Sequence, residues 1–143
     1  MNEKTEKFIQ YSIKLLKDVA KGAFNLRDQE VFQEGIEIGI NKTIDALYDG
    51  NINDDKIVSL MMKHWDIGQT EAEERLIFEK RKMLIEELEK YLKRKGWAKN
   101  KVDEFVSESK LRFRIRHEPE LLKYKGKPEK LFELLNNTIK KHN

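Results

Sequence analysis

The sequence has no cysteine, only 2 prolines and 7 glycines among 143 residues, and no long uninterrupted apolar run. Without cysteine, disulfide frameworks and thiolate metal sites are excluded. A membrane-spanning helix would need about 18 consecutive apolar residues, and the N-terminal stretch MNEKTEKFIQYS lacks the continuous apolar segment of a secretion signal. We therefore expect a cytoplasmic protein with no membrane partner.

The scarcity of proline and glycine, together with equal shares of hydrophobic and charged residues at 38% each, favours helices with one buried stripe. Apolar residues recur at three- and four-residue spacing along most of the chain, as in amphipathic helices. The pattern predicts an all-α fold: a compact bundle of about six helices around one long central helix at about 70–95. No linker or internal repeat interrupts it, so we expect a single domain over residues 1–143.

Several helix ends are predicted from side chains that can cap them. Side-chain oxygens that can accept from backbone N–H groups at a helix start favour three N-termini. These lie at Asn25 with Asp28, at Thr70 with Glu73, and at Asn100 with Asp103. Gly96 followed by Trp97 predicts a Schellman ending for the long helix, and Pro119 and Pro128 each suit a first helical turn. In the first helix, the predicted inward face comprises Phe8, Ser12, Leu15, Leu16, Val19 and Ala23.

Charge is unevenly distributed along the chain. Residues 93–130 contain 13 lysines and arginines against 6 acidic residues, whereas residues 1–92 contain 14 against 19. Such a bipolar arrangement can steer charged partners or self-association.

The basic 93–130 region contains the best candidate site, for an anion or a negatively charged partner. Three of the seven arginines occur there within five residues, although lysine outnumbers arginine 22 to 7 overall. Arginine suits planar, bidentate contacts to phosphate or carboxylate. The candidate binding residues are Arg112, Arg114, Arg116, Lys110, His117, Lys123, Lys125 and Lys127.

The conformation and the role of residues 111–117 both stay open at this level. Leu111 to His117 alternates apolar and basic residues, as a strand does, yet no second alternating run could pair with it. The segment is therefore either extended or helical. Its arginines either form an outward anion site or pair with the acidic side of the long helix around Glu86, Glu87 and Glu89.

A short helix, a turn at 66–69 and a longer helix resemble the helix–turn–helix of phage-type repressors over about twenty residues. That resemblance would imply DNA reading by the second helix. The second helix, however, opens with Glu71, Glu73 and Glu74, and carboxylates repel the phosphates whose neutralisation supplies much of DNA affinity. A plain helix hairpin is therefore the favoured interpretation.

No pattern of residues indicates catalysis or metal binding. The three histidines, His64, His117 and His142, lack the closely spaced second donor that a metal site needs. We expect no enzyme activity, no metal and no cofactor. The sequence instead predicts a small protein-interaction module, such as a bacterial or phage regulator, adaptor or inhibitor, whose partner is a protein with an acidic surface. The alternative is a nucleic-acid-binding protein that uses the basic 93–130 region. A homodimer through the long helix is a further possibility.

Overall fold

A computed structural model of the chain describes residues 3–23 and 29–142, and the side chains of residues 3–18 and 33–141. Within these residues the chain forms seven α-helices, one 3₁₀ helix and no strand. The helices are α1 (Glu3–Ala23), α2 (Gln29–Asp49), α3 (Asp54–Trp65), α4 (Gln69–Arg94), α5 (Lys99–Glu108), α6 (Leu111–His117), the 3₁₀ helix (Pro119–Tyr124) and α7 (Pro128–His142).

The predicted all-α class is confirmed, and the predicted long helix is α4, at 26 residues. Every helix in the described parts of the chain is too short or too polar to cross a membrane. Contacts between residues group the chain into two units, Met1–Glu79 and Lys80–Asn143, here called the first unit and the second unit. The expectation of a single domain over 1–143 stays a prediction.

The first unit is built from α1, α2, α3 and the start of α4. Its most deeply buried side chains include Ile13, Ile44, Ile57 and Met61, each at most 1% exposed. Polar contacts join its helices: the Lys56 ammonium lies 2.6 Å from a Glu6 carboxylate oxygen, and the Arg75 guanidinium lies 2.7 Å from Glu37. Apolar burial therefore accounts for most of the stability of this unit, since ion pairs near the surface contribute little.

The inward face of α1 differs from the prediction. Ile9 and Ile13 are buried, whereas Phe8 and Leu15, which belong to the predicted inward face, are 69% and 50% exposed. Tyr11 is 65% exposed beside them. Residues 8, 11 and 15 share one side of a helix, and residues 9 and 13 share another about 150° away. Packing against α2 and α3 selects the isoleucine side, so the prediction was wrong for Phe8 and Leu15. Ser12 and Leu16 are half-buried, and the side chains of Val19 and Ala23 lie outside those that the structure describes.

The second unit contains the rest of α4, together with α5, α6, the 3₁₀ helix and α7. Its core is a continuous cluster of buried side chains: Leu84, Ile85, Leu88, Leu92, Val102, Phe105, Val106, Leu111, Ile115, Leu121, Leu131 and Leu135. Four aromatic rings lie at one side of it, where Phe132 contacts Tyr91, Trp97 and Phe105 at centroid distances of 6.5, 5.7 and 5.1 Å. Helix α5 contributes Val102, Phe105 and Val106 to this core.

Two kinds of predicted helix end are confirmed. At the end of α4, the Trp97 N–H donates to Leu92 O at 3.1 Å and the Gly96 N–H donates to Lys93 O at 3.0 Å. This is the Schellman pattern, and Gly96 adopts the φ of +93° that it requires. Pro119 and Pro128 begin the 3₁₀ helix and α7, as predicted.

The predicted side-chain N-caps of α4 and α5 were wrong. Helix α4 begins at Gln69, so Thr70 lies inside its first turn, and Glu73 accepts a hydrogen bond from Gln69 Nε2 at 2.9 Å. Helix α5 begins at Lys99 after Ala98, an N-cap residue with no side-chain hydrogen bond. In both cases the helix starts before the residue that was predicted to cap it. The predicted cap at Asn25 with Asp28 lies outside the described residues.

Residues 111–117 form α6, so the helical alternative is the one that the structure shows and the extended alternative was wrong. Leu111 and Ile115, four residues apart, are 0% and 2% exposed. A strand would have needed a pairing partner, whereas a helix satisfies its own backbone groups. Burial of this i, i+4 pair in the core of the second unit fixes which side of α6 faces outward.

Candidate anion-binding surface

The turn between α5 and α6 sets the position of the candidate site. Ser109 is buried and its Oγ donates to Val106 O at 3.0 Å, which closes the end of α5. Lys110 then adopts a left-handed conformation, with φ 54° and ψ 32°, immediately before α6. The Arg114 N–H donates to Lys110 O at 2.8 Å. The reversal at Lys110 thus places its side chain beside the outward side of α6.

Four side chains form this outward side, and we call them the α6 face: Arg112, Phe113, Arg116 and His117. All four are exposed. Arg112 and Arg116 are one helical turn apart, as are Phe113 and His117, so each pair is adjacent on the helix surface. The Phe113 and His117 rings stack with a centroid distance of 4.3 Å, and Phe113 is 61% exposed. The face therefore combines two guanidinium groups with an exposed aromatic pair.

Arg114 does not belong to this face. Its side chain is 18% exposed, its Nε donates to Glu118 Oε2 at 2.7 Å, and its Nη1 donates to Thr138 Oγ1 at 3.4 Å. The hydrogen bonds with Glu118 raise the pKa of the Arg114 guanidinium and lower the pKa of the Glu118 carboxyl. Arg114 is therefore structural, and its partner is Glu118, four residues further along the chain, rather than one of the α4 glutamates.

The two arginines of the α6 face and the neighbouring Lys110 are available to a partner. Among the described residues, none forms an ion pair or a hydrogen bond with the side chains of Arg112, Arg116 or Lys110. Of the α4 carboxylates considered as their partners, Glu87 accepts a hydrogen bond from the Gly126 backbone N–H at 2.8 Å. Lys110, Arg112 and Phe113 line a shallow cleft of about 390 Å³ between α5 and α6, with Asp103 on its α5 side.

The three remaining predicted residues lie on the following segment. Lys123 is in the 3₁₀ helix, with its ammonium 5.3 Å from the centre of the Tyr124 ring. Lys125 and Lys127 lie in the connection to α7, where Lys125 is half-buried and Lys127 is exposed. The structure thus gathers Lys110, Arg112, Arg116 and His117 on α6 and its N-terminal turn. The other lysines belong to a separate element.

An apolar groove in the first unit was not found from the sequence. It lies between α3 and α4, has a volume of about 760 Å³, and contains Val58, Met62, Leu76 and Ile77. Met62 and Ile77 are 39% and 43% exposed. The sequence contains one sign of this groove: the apolar sides of these two helices are wider than a single neighbouring helix can cover. The turn that resembles a helix–turn–helix joins the two helices that border the groove, and Glu71, Glu73 and Glu74 are exposed near the start of α4.

His64 is held by the first unit in surroundings that disfavour its charged form. Its Nε2 is buried and has no hydrogen-bond partner among the described residues. Burial, and then the positive charges of Lys63 and Lys17, lower the pKa of the His64 imidazole. The Lys17 ammonium also donates to the His64 backbone carbonyl and lies 5.6 Å from the centre of the Trp65 ring.

This lowered pKa predicts a dependence of stability on pH. In the unfolded chain His64 takes up a proton near its ordinary pKa of about 6.5, whereas the folded chain resists protonation until a lower pH. The free energy of unfolding should therefore decrease as pH falls from 7.5 to 5.5. Urea unfolding of the His64→Gln variant should show a shallower decrease than that of the wild type. His117→Gln, at an exposed position, is the matched control, and equal slopes for wild type and His64→Gln would contradict the expectation.

Within the described residues, no group of three or more histidine, aspartate or glutamate side chains is arranged to hold a metal ion. Comparison of the chain with protein-family models, curated proteins and solved structures gives no match.

Proposed function

We propose that this chain is a non-enzymatic binding protein, a small protein-interaction module that uses the α6 face to bind an acidic surface of another protein. The carrying observation is the contrast among three neighbouring arginines. Arg114 is bound to Glu118, whereas Arg112 and Arg116 are exposed and have no ion pair with any described residue. A regulator, adaptor or inhibitor would use such a surface.

The chemistry of the α6 face fits carboxylates. Each guanidinium can donate two parallel hydrogen bonds to one carboxylate, and two of them one helical turn apart can engage two acidic side chains. Phe113 lies beside them and offers an apolar contact, and arginine and aromatic side chains are the ones that dominate protein–protein binding energies. The helix is anchored by Leu111 and Ile115, so the face is presented on a fixed scaffold.

A second candidate function is binding to single-stranded nucleic acid. The stacked rings of Phe113 and His117 support this alternative, because exposed aromatic rings next to cations are what unpaired bases stack on. Arg112 and Arg116 would then contact phosphates. The two candidates differ in their dependence on salt, because counterion release makes nucleic-acid binding fall steeply as salt rises.

The proposal predicts the effect of reversing two charges. The double variant Arg112→Glu/Arg116→Glu should weaken binding to a fluorescent polyglutamate peptide by at least about tenfold, since each 1.4 kcal/mol lost is about tenfold in affinity. Fluorescence anisotropy at low and at near-physiological salt measures this, with an oligothymidylate of equal charge as the second probe. Preference for the peptide supports the protein-binding function, whereas preference for the oligonucleotide with a steep salt dependence supports the second candidate.

The matched control is Lys140→Glu/Lys141→Glu, which makes the same change in net charge at exposed positions near the end of α7. It should retain binding if the α6 face is the site. Circular dichroism and thermal unfolding establish that both variants fold. Equal losses of binding in the two variants would show that only net charge matters, and the α6 face would then lose its assignment.

A further inference from the structure

The groove between α3 and α4 combines an apolar floor with an acidic rim, and we call it the acidic groove. Val58, Met62, Leu76 and Ile77 provide the floor, and two of these side chains are more than one third exposed. Apolar surface left open between two helices favours a partner that covers it. A helix laid along such a groove is a recurrent mode of recognition.

The rim of the acidic groove determines the charge of its occupant. The carboxylates of Asp54, Asp55 and Glu73 line it, against a single ammonium, that of Lys63. Asp55 and Glu73 are exposed, and they lie on the two different helices that border the groove. An occupant with an apolar centre and positive flanks therefore fits best, because like charges across an interface are costly and opposite charges are favourable.

The α6 face has this chemistry. Phe113 is an exposed apolar side chain, and Arg112 and Arg116 flank it on the same short helix. We infer that a second copy of this chain places its α6 face in the acidic groove, with Phe113 against the apolar floor and the arginines near the Asp55 and Glu73 carboxylates. This inference rests on the proposed function, since it names a second copy of the chain as a carrier of the acidic surface.

The small size of this contact determines its strength, and the difference between its two surfaces determines its symmetry. A seven-residue helix covers much less than the roughly 800 Å² per partner of a stable interface, so the association is weak and reversible. Exposed ion pairs are screened at physiological salt, where the Debye length is about 8 Å, so added salt weakens it further. The contact is heterologous, because the groove of one chain meets the α6 face of the other.

The test uses two charge-reversed variants and sedimentation velocity. The wild type should show an average mass that rises above the 17.1 kDa of the monomer as concentration increases. The groove variant Asp55→Lys/Glu73→Lys and the face variant Arg112→Glu/Arg116→Glu should each associate at least about tenfold more weakly. Mixed one to one, they should associate again, because the face variant supplies an intact groove and the groove variant supplies an intact face. The two altered surfaces also have opposite charges, so they do not oppose this recovery.

Two further variants guard against loss of fold and against effects of net charge. Met62→Gln removes an exposed apolar contact of the groove without changing charge, and it should also weaken self-association. Glu129→Lys/Glu133→Lys repeats the charge change of the groove variant at exposed positions on α7, and it should associate as the wild type does. A groove variant that still associates like the wild type would overturn the inference and would point to another surface, such as the exposed Phe8, Tyr11 and Leu15.

Failure of this inference can be told apart from failure of the proposed function. A wild type that stays monomeric at every concentration, while the face variant has lost binding to polyglutamate, overturns the second-copy partner and leaves the proposed function intact. A wild type that neither self-associates nor binds the peptide overturns both. Recovery of association in the mixture of the two variants supports both.

Discussion

The Phe105→Ala variant should lose about 3–5 kcal/mol of the free energy of unfolding, the cost of removing a large aromatic side chain from a packed core. Phe105 is 7% exposed, and its ring lies 5.7 Å from Trp97 and 5.1 Å from Phe132 between centroids. The loss combines less buried apolar area, a cavity, and two missing ring contacts. Because small domains are stable by only about 5–15 kcal/mol, this variant should be close to unfolding.

Phe113→Ala is the matched control for this prediction. It deletes the same side chain from a position that is 61% exposed, so the free energy of unfolding should change by no more than about 0.5 kcal/mol. Urea unfolding monitored by circular dichroism measures both variants. If the two changes were equal, Phe105 would not hold the core together, and the aromatic cluster of the second unit would have no stabilising role.

The Ile44→Ala variant should lose roughly 2–5 kcal/mol of the free energy of unfolding, because Ile44 is fully buried in the first unit. Ile38→Ala, on the same helix α2, is the matched control: Ile38 is 56% exposed and its truncation should have little effect. The two tryptophans extend the measurement to both units, since Trp65 lies in the first unit and Trp97 in the second. Their fluorescence can be followed separately in Trp97→Phe and Trp65→Phe backgrounds.

This measurement also tests the single-domain prediction. If residues 1–143 unfold as one cooperative domain, Ile44→Ala should shift the Trp65 and the Trp97 transitions by the same amount. A shift of the Trp65 transition alone would mean that the two units unfold independently, and the prediction would be wrong.

The sequence predicted the end of α4 correctly, whereas the side-chain caps that it predicted at the starts of α4 and α5 were wrong. The Schellman ending needs a specific backbone conformation that glycine adopts readily, and Gly96 with Trp97 therefore marked the end of α4. Helix starts were less certain, because any residue can precede a helix when water satisfies its first N–H groups. Ala98 precedes α5 without a side-chain cap, although Asn100 is close by. A side chain that can cap is thus not necessary for a helix start, and Thr70 and Asn100 show that its presence does not fix where the helix begins.

The inward side of α1 could not be chosen by periodicity. Phe8 and Leu15 repeat with helical spacing, and so do Ile9 and Ile13, so the helix has two apolar sides. Only packing against the neighbouring helices determines which one is covered, and this information lies in residues far along the chain. The acidic groove was missed for the same reason: Met62 and Ile77 have helical spacing, but no partner covers them within the described residues.

The candidate site was half predicted. The sequence singled out residues 110–117, and the helical alternative alone indicates that Arg112 and Arg116 share a side. It also places Glu118 one turn after Arg114, which is the ion pair that the structure shows. The strand-like alternation kept the Arg114–Glu118 ion pair from being predicted, because in an extended chain all three arginines would point to one side. Lys123, Lys125 and Lys127 were grouped with them by proximity in sequence, although they lie on another element.

The left-handed conformation of Lys110 has a consequence for how the protein balances stability against binding. This conformation costs a residue with a Cβ atom about 1 kcal/mol or more of folding free energy, whereas glycine adopts it without strain. The chain nevertheless has a lysine there, which adds a cation beside Arg112. Natural proteins commonly give up some stability at the residues that serve their function. If the α6 face binds an acidic partner, glycine at position 110 would make the folded protein more stable but would remove a cation next to that face.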